Sequence, residues 1–475
     1  MSKTREFLTI GVSSLIIALV LSTLNYYLTF KPELESARNS EKSIKLTVSD
    51  VSKTYQNQIS DILSQNRDLH TSLKEMESEL ESTRMQSSEI LYGIENKIDE
   101  ATAKGYYLSL LDENSDMSKS VRMVDYFDDI KGWREHIVDG KKRYTLIDVY
   151  YATDRKANKP SIMKDRFIGK RDKAKLTQYG ITQVSIPDVH EIGNIETRKL
   201  WKFEFSEDPE KHITIADIQE LNSTDYFQKI KNSIKDSEGK NAFIFIHGFN
   251  VSFEDAAKRT GQIAYDLEFK GVPVFYSWPS QGKFSRYTED EANIKWSQPH
   301  IESFIEDFAL NSGVENIYLL AHSMGSRGLT RAYVNLLKKN PALKSKFKEI
   351  ILAAPDIDAD VFKDQIAPKM ADIGAPVTLY SSSEDIALKA SHAIHGHTRA
   401  GDSGEGQLIL TGFESIDSTN VKSDFIGHSS YADNIAILSD MYYLINRGLR
   451  AVERRGLDKH QKPAGVYWKF KKLPD

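Results

Sequence analysis

The chain of 475 residues contains no cysteine. That absence excludes disulfide frameworks, thiolate nucleophiles, CxxC redox chemistry and cysteine-ligated zinc or iron–sulfur sites. It leaves the compartment open, because a cysteine-free chain suits oxidising and reducing surroundings alike. An excess of positive charge is missing too. With 63 Lys and Arg against 68 Asp and Glu, the net charge is −5, which gives no global case for binding nucleic acid. No glycine-rich phosphate loop of the P-loop or dinucleotide type occurs, and no internal repeat is visible. The composition, 40% hydrophobic and 28% charged, is that of a folded protein, and its length calls for more than one structural part.

Two local absences define the N-terminal third. No charged residue occurs from Phe7 to Phe30, a stretch of 24 residues. At about 1.5 Å per residue it would make a helix of roughly 36 Å, enough to span a bilayer core of about 30 Å. Tyr26 and Tyr27 stand near its end, where amphipathic aromatics suit the interface. No small-x-small cleavage site follows, so the expectation is an uncleaved anchor over residues 7–30 behind a tail of residues 1–6. Lys3 and Arg5 precede it; Lys31, Arg38, Lys42 and Lys45 follow. Counting the free amino terminus this is nearly a tie, so sidedness stays open, with a lean to an extracytoplasmic catalytic domain.

Residues 40–100 hold almost no glycine or proline. Ile59, Asn66, Leu73, Leu80, Ser87 and Ile94 fall seven apart, and Ile62, Leu69, Met76, Thr83 and Ile90 follow the same period offset by three. These are the a and d positions of a coiled-coil stalk, which implies a homo-oligomer. The bland alternative is a helix lying on the globular domain. A connector over 101–140 would then lead into a domain over 141–475.

That domain alternates apolar runs (YTLIDVYYA, GITQVSIP, AFIFIHG, VPVFYSW, IYLLAHS, EIILAAP and VTLYSSS) with amphipathic stretches from Ala242 onward. The pattern indicates an α/β fold with a mostly parallel sheet covered on both faces, its first two strands antiparallel at the edge. The segment 447–475 carries nine Lys and Arg against three Asp and Glu, and reads as a solvated tail or an edge segment.

The chemistry gathers at three loops. Ala321-His322-Ser323-Met324-Gly325 follows an apolar strand and precedes a helical stretch. A serine between small neighbours in a strand–turn–helix has the form of a nucleophile elbow, with Ala321 in place of the usual first glycine. Upstream, the strand ending at His247 and Gly248 would offer a backbone N–H from Phe249, and the elbow one from Met324, as an oxyanion hole. A serine nucleophile needs a base and an orienting carboxylate, in the chain order Ser, acid, His. Asp385, after the strand VTLYS, is the expected acid, with Asp356 and Asp358 as alternatives; His428 is the expected base. His392, His395 and His397 beside Asp402 match no strong ligand pattern and read as a loop, so neither metal nor cofactor is expected.

Taken with the blocks VYYATDR, YGITQVSIP, FIHGFNVSFEDAAKRTGQIAYDL, VPVFYSWPS, AHSMGSRGL, LAAPDIDADVF, LYSSSEDIALKAS, RAGD and GHSSYA, residues 145–470 resemble a bacterial branch of the α/β-hydrolases. It is an esterase/lipase-superfamily branch of unknown function, of the domain of unknown function 900 type. The resemblance implies an eight-stranded hydrolase sheet and a Ser323–Asp385–His428 triad. Thr153, Asp154 and Arg155 match a block whose default reading is a structural salt bridge. The expectation is a single-pass protein of the bacterial inner membrane that hydrolyses an acyl ester or lipid through an acyl-enzyme. Rival readings are a phospholipase-type effector gated by stalk assembly, and a non-catalytic hydrolase-fold module on a membrane-anchored oligomer.

Overall fold

The computed structural model describes residues 133–471, apart from 159–164, 173–176, 198–206, 236, 238, 284–285, 384–387, 389–390, 393–394 and 422–430, together with the helical positions Ala18, Leu19, Leu21 and Thr23. The chain divides into two compact units, Met1–Ile94 and Glu95–Asp475, and the strands and helices named below all belong to the second. Those four positions aside, the expected anchor 7–30 and stalk 40–100 lie outside the described residues, as does the connector as far as 132. Among the described residues no helix is long and apolar enough to cross a membrane.

The sheet begins before position 141, with β1 (Trp133–Val138) paired antiparallel to β2 (Lys141–Thr153). A two-stranded ribbon follows, β3 (Arg155–Ala157) with β4 (Phe167–Arg171). Next come β5 (Gln178–Pro187), β6 (Thr214–Leu221), helix α1 (Ser223–Ile234) and β7 (Asn241–Ile246). Helix α2 (Phe253–Asp266), β8 (Gly271–Ser277), helix α3 (Tyr287–Asn311), β9 (Asn316–His322) and helix α4 (Gly325–Lys339) continue the alternation. The chain closes with β10 (Phe347–Ala353), α5 (Ala367–Ile373), β11 (Val377–Ser381), β12 (Phe413–Asp417), α6 (Tyr431–Arg447), β13 (Leu457–Lys462) and β14 (Gly465–Phe470).

Twelve strands form one sheet, in the order β13-β14-β12-β11-β10-β9-β7-β8-β2-β5-β6, with β1 alongside β2. The run β2-β8-β7-β9-β10-β11-β12-β14 is parallel throughout. That is the expected eight-stranded sheet, with antiparallel strands added at both ends. β2 and β5 pair antiparallel as read from the sequence, but β6 lies outside β5. The basic segment 447–475 contributes the β13–β14 hairpin that covers β12, an edge segment and not a tail.

Register explains why the runs are apolar at every position. In β7, Ala242, Ile244 and Ile246 pack toward α1, α3 and α4, while Phe243 and Phe245 pack toward α2 and α6. Both faces are buried, so the period-two alternation vanishes. Each Ile and Phe among them contributes about 1.5–3 kcal/mol when withdrawn from water. By contrast β6 keeps a half-exposed pattern and escapes an apolar-run reading.

Away from the C-terminal ends of the parallel strands, a buried ion cluster pins the loop after β5. His190 Nδ1 lies 2.9 Å from Glu196 and Nε2 2.8 Å from Asp266, the last residue of α2. Burial opposes the imidazolium, but Asp266 and Glu196 outweigh it and push the His190 pKa up to about 10. The cation also relieves a carboxylate placed at a helix C-terminus. His190→Gln should therefore lose about 3 kcal/mol at pH 6, since it strands two buried carboxylates. A raised folded-state pKa contributes fully below the free imidazole value of about 6.5 and fades as pH rises from there through the folded value. Urea unfolding of wild type and variant should converge above that folded value of about 10, and an undiminished gap there would refute the cation's role.

Candidate active site

Parallel strands place their C-terminal ends on one edge, so the loops after β2, β7, β8, β9, β10, β11 and β12 converge there. Ser323 stands at its centre, one residue past β9 and two before α4. Its φ is +47°, left-handed for a residue with a Cβ, and it is 2% exposed. Such a conformation persists only where neighbours enforce it. Here the Ser323 N–H donates to Ala353 O at 2.9 Å, and its carbonyl accepts from Ser326 and Asp356 N–H groups, both at 3.1 Å. Two glycines admit the approach of β7: a Cβ on Gly325 would lie 2.4 Å from His247 O, and one on Gly248 would lie 3.1 Å from Ser323 Cβ. Met324 is fully buried and caps the start of α4.

The loop carrying Phe249 is held from several sides. Ser252 caps α2 in a reciprocal box with Asp255, its Oγ accepting the Asp255 N–H at 3.0 Å. Asn250 takes φ +61°, and the Val251 N–H donates to Ser280 Oγ at 3.2 Å. Ser280 Oγ in turn donates to Asp290 at 2.6 Å. The His247 ring stacks on Trp278 with centroids 5.1 Å apart, and the indole N–H donates to His247 O at 2.7 Å. The Phe249 ring meets Tyr287 edge-on at 5.1 Å.

The block Thr153-Asp154-Arg155 departs from the salt-bridge reading at Arg155. Among the described residues Arg155 pairs with no carboxylate; its guanidinium donates to Ser277 Oγ at 2.7 Å and to the carbonyls of Ser280 and Val251, both at 2.8 Å. Asp154 instead meets His300 Nδ1 at 2.9 Å, and Thr153 Oγ1 donates to Ser277 O at 2.6 Å.

Asp385 and His428 lie outside the described residues. The alternative acids are both engaged elsewhere. Asp356 Oδ1 accepts from Ser391 Oγ at 2.6 Å and Arg399 Nε at 2.9 Å; Oδ2 accepts from Tyr287 Oη and meets Arg327 Nη2 at 3.0 Å. Burial opposes its ionisation, yet Arg327 and Arg399 hold the carboxyl below the ordinary carboxylate range. Asp358 caps the turn at 359–361, accepting the Val361 N–H at 3.0 Å.

The RAGD block acts as a wedge. Residues 398–402 insert between the ends of β10 and β11, with Ala400 N–H donating to Ile357 O at 2.7 Å and Gly401 N–H to Pro355 O at 2.9 Å. On the other side Ser382 N–H donates to Gly401 O at 2.9 Å. His395 is bound to Glu291 at 2.9 Å and to Ser391 O, also at 2.9 Å. Among the described residues no three His, Asp or Glu side chains gather as a metal cage. His322, beside the nucleophile in sequence, is driven down to about 3 by burial and by the nearby Arg259, so it stays neutral.

Sequence reading named Arg155 without its partners and missed Tyr287, Arg327, Ser391 and Arg399. The contacts that place each of them here span 29 residues or more, as in Arg327 with Asp356, and no local pattern encodes such pairs. The only signal was the co-occurrence of the ATDR and RAGD blocks.

Strand order, helices on both faces of the sheet and the left-handed serine after β9 define an α/β-hydrolase. Residues 222–447 match the model of the family described as alpha/beta hydrolase of unknown function (DUF900). No curated protein matches the chain. Similar solved structures include lipase B of Aspergillus fumigatus, with 11% identity, a TM-score of 0.28, and coverage of 44% of this chain and 53% of that one. The carboxylesterase CesB of Bacillus subtilis shares 11% identity over 45% of this chain and 83% of its own, with a TM-score of 0.24. Naproxen esterase of Bacillus subtilis shares 9% identity over 48% of this chain and 98% of its own, at 0.23.

Proposed function

We propose that this protein is a membrane-anchored serine hydrolase that cleaves acyl esters. The observation that carries the reading is Ser323 held at φ +47° against the His247–Phe249 loop. That conformation is strained, and a nucleophile elbow requires it. His428 takes the proton from Ser323 Oγ as Oγ bonds to the acyl carbon, and Asp385 orients the imidazole and stabilises its cation. The N–H groups of Met324 and Phe249 receive the oxyanion. The alcohol leaves with the proton from His428; water, activated by the same base, then releases the acid. Asp385 is preferred as the acid because four donors already fill the carboxylate of Asp356. Residues 7–30 anchor the chain in a bacterial inner membrane, residues 40–100 assemble it into a homo-oligomer, and the catalytic domain faces outward. An acyl ester of a lipid suits that placement.

A fluorophosphonate probe tests this on the full-length protein in detergent. Labelling should be strong, vanish in Ser323→Ala, and slow at least a hundredfold in His428→Ala and Asp385→Asn. Its rate should fall on acidification with a midpoint of about 6.5, as a histidine base protonates. A folded protein that the probe never labels would instead be a binding module.

A further inference from the structure

We propose that Arg155 is a positioning residue for the oxyanion hole: acting through His247, it sets the direction of the Gly248–Phe249 peptide. The proposal rests on the serine-hydrolase reading above. Arg155 follows β2 and is 1% exposed. Burying a guanidinium without a carboxylate is expensive, so a purely structural arginine would take an acid as partner. Asp290 is close, but Ser280 Oγ, Gln281 N–H and Asn250 N–H, at 2.6, 2.8 and 3.5 Å, already occupy it. Arg155 spends its donors instead on Ser277 Oγ, Ser280 O, Val251 O and, at 3.4 Å, His247 Nε2. All four acceptors lie at the end of β8 or on the loops after β7 and β8.

The contact with His247 has a definite chemical consequence. A guanidinium only donates, so Nε2 accepts from it, as it can from Ser277 Oγ at 3.2 Å, and the imidazole proton resides on Nδ1. Nδ1–H then donates to Gly248 O at 2.8 Å. In a planar trans peptide the C=O and the following N–H point in opposite directions. Tying Gly248 O to the imidazole therefore turns the Phe249 N–H away from that ring. Burial and the Arg155 charge keep His247 neutral, which preserves this tautomer. Trp278 stacks on the ring and holds His247 O, so the imidazole cannot turn away. Without Arg155 either tautomer satisfies His247, and a flipped peptide would present a carbonyl where an N–H is required.

The test compares Arg155→Met, Arg155→Lys, His247→Phe and Ser323→Ala in the full-length protein. Readouts are kcat and KM on p-nitrophenyl butyrate and the Ki of a trifluoromethyl ketone, which forms an oxyanionic adduct with the serine. Losing one hole donor lowers kcat by about 10²–10³. Arg155→Met should show that loss with KM within threefold, and a matching rise in Ki. Arg155→Lys should recover part of both, because an ammonium still donates but cannot span all four acceptors. Should Arg155→Met fail to fold, His247→Phe decides: it keeps the stack on Trp278 and removes the donor to Gly248 O. Unchanged kcat and Ki in a folded variant, or a loss confined to KM, overturn the proposal while Ser323→Ala is inactive. Activity surviving in Ser323→Ala overturns the underlying hydrolase reading instead.

Discussion

Ser323→Ala is expected to lower kcat on short p-nitrophenyl esters by about 10⁴ to 10⁶, equivalent to roughly 5–8 kcal/mol of transition-state stabilisation. The hydroxyl is the only group removed, and alanine adopts the same left-handed backbone at similar expense. The melting temperature should thus stay within a degree or two. Ser323→Gly separates chemistry from strain. It is equally inactive, but glycine accepts φ +47° freely, so it should gain about 1 kcal/mol in urea unfolding. A Ser323→Gly protein no more stable than Ser323→Ala would mean that the turn stores no strain.

Asp356→Ala should be the most damaging change to stability, at about 3–5 kcal/mol. The carboxylate is 1% exposed and anchors four side chains from three segments: Tyr287 on α3, Arg327 on α4, and Ser391 and Arg399 from the excursion between β11 and β12. Removing it leaves Arg399 buried beside Arg327 without their common counter-ion. The pH dependence has a definite sign. A carboxyl held below its unfolded value of about 3.9 contributes stability above that value and loses it as pH falls through the folded one. The wild-type advantage over Asp356→Ala in urea unfolding should thus be full at pH 7 and shrink below pH 4. Under the proposed triad, Asp385→Asn is expected to differ from Asp356→Ala in losing activity. Equal stability of Asp356→Ala and wild type at pH 7 would refute the anchoring role.

The part of this molecule legible in the sequence is the part written in contiguous residues. Ala242–Ile246 reads as a buried strand because every position is apolar, and Ala321–Gly325 reads as an elbow because steric need fixes small residues around one serine. β12 was missed because FESID carries two acids in five residues, although Glu414 and Asp417 meet Arg454 and Lys469 at 2.8 and 2.9 Å. The basic C-terminal segment stayed open between tail and edge for the same reason. Arg454 has no side-chain exposure and lies 2.6 Å from Asp440. Composition reads such a residue as solvated, since a charge and its counter-ion need not be neighbours in sequence. Asp356 as an anchor and Arg155 as a brace were invisible on those grounds: their partners come from remote strands and loops.

The place of the C-terminal hairpin in the sheet constrains how the protein can be made. β12 is covered on its outer side by β14, with Ile416 paired to Trp468 and Asp417 to Lys469. During synthesis that flank stays bare until Phe470 has left the ribosome, and it offers unpaired backbone groups to any extended chain nearby. A chain that stops before β13 would therefore leave β12 as an adhesive edge. Loss of that hairpin is expected to produce aggregation or capture by chaperones.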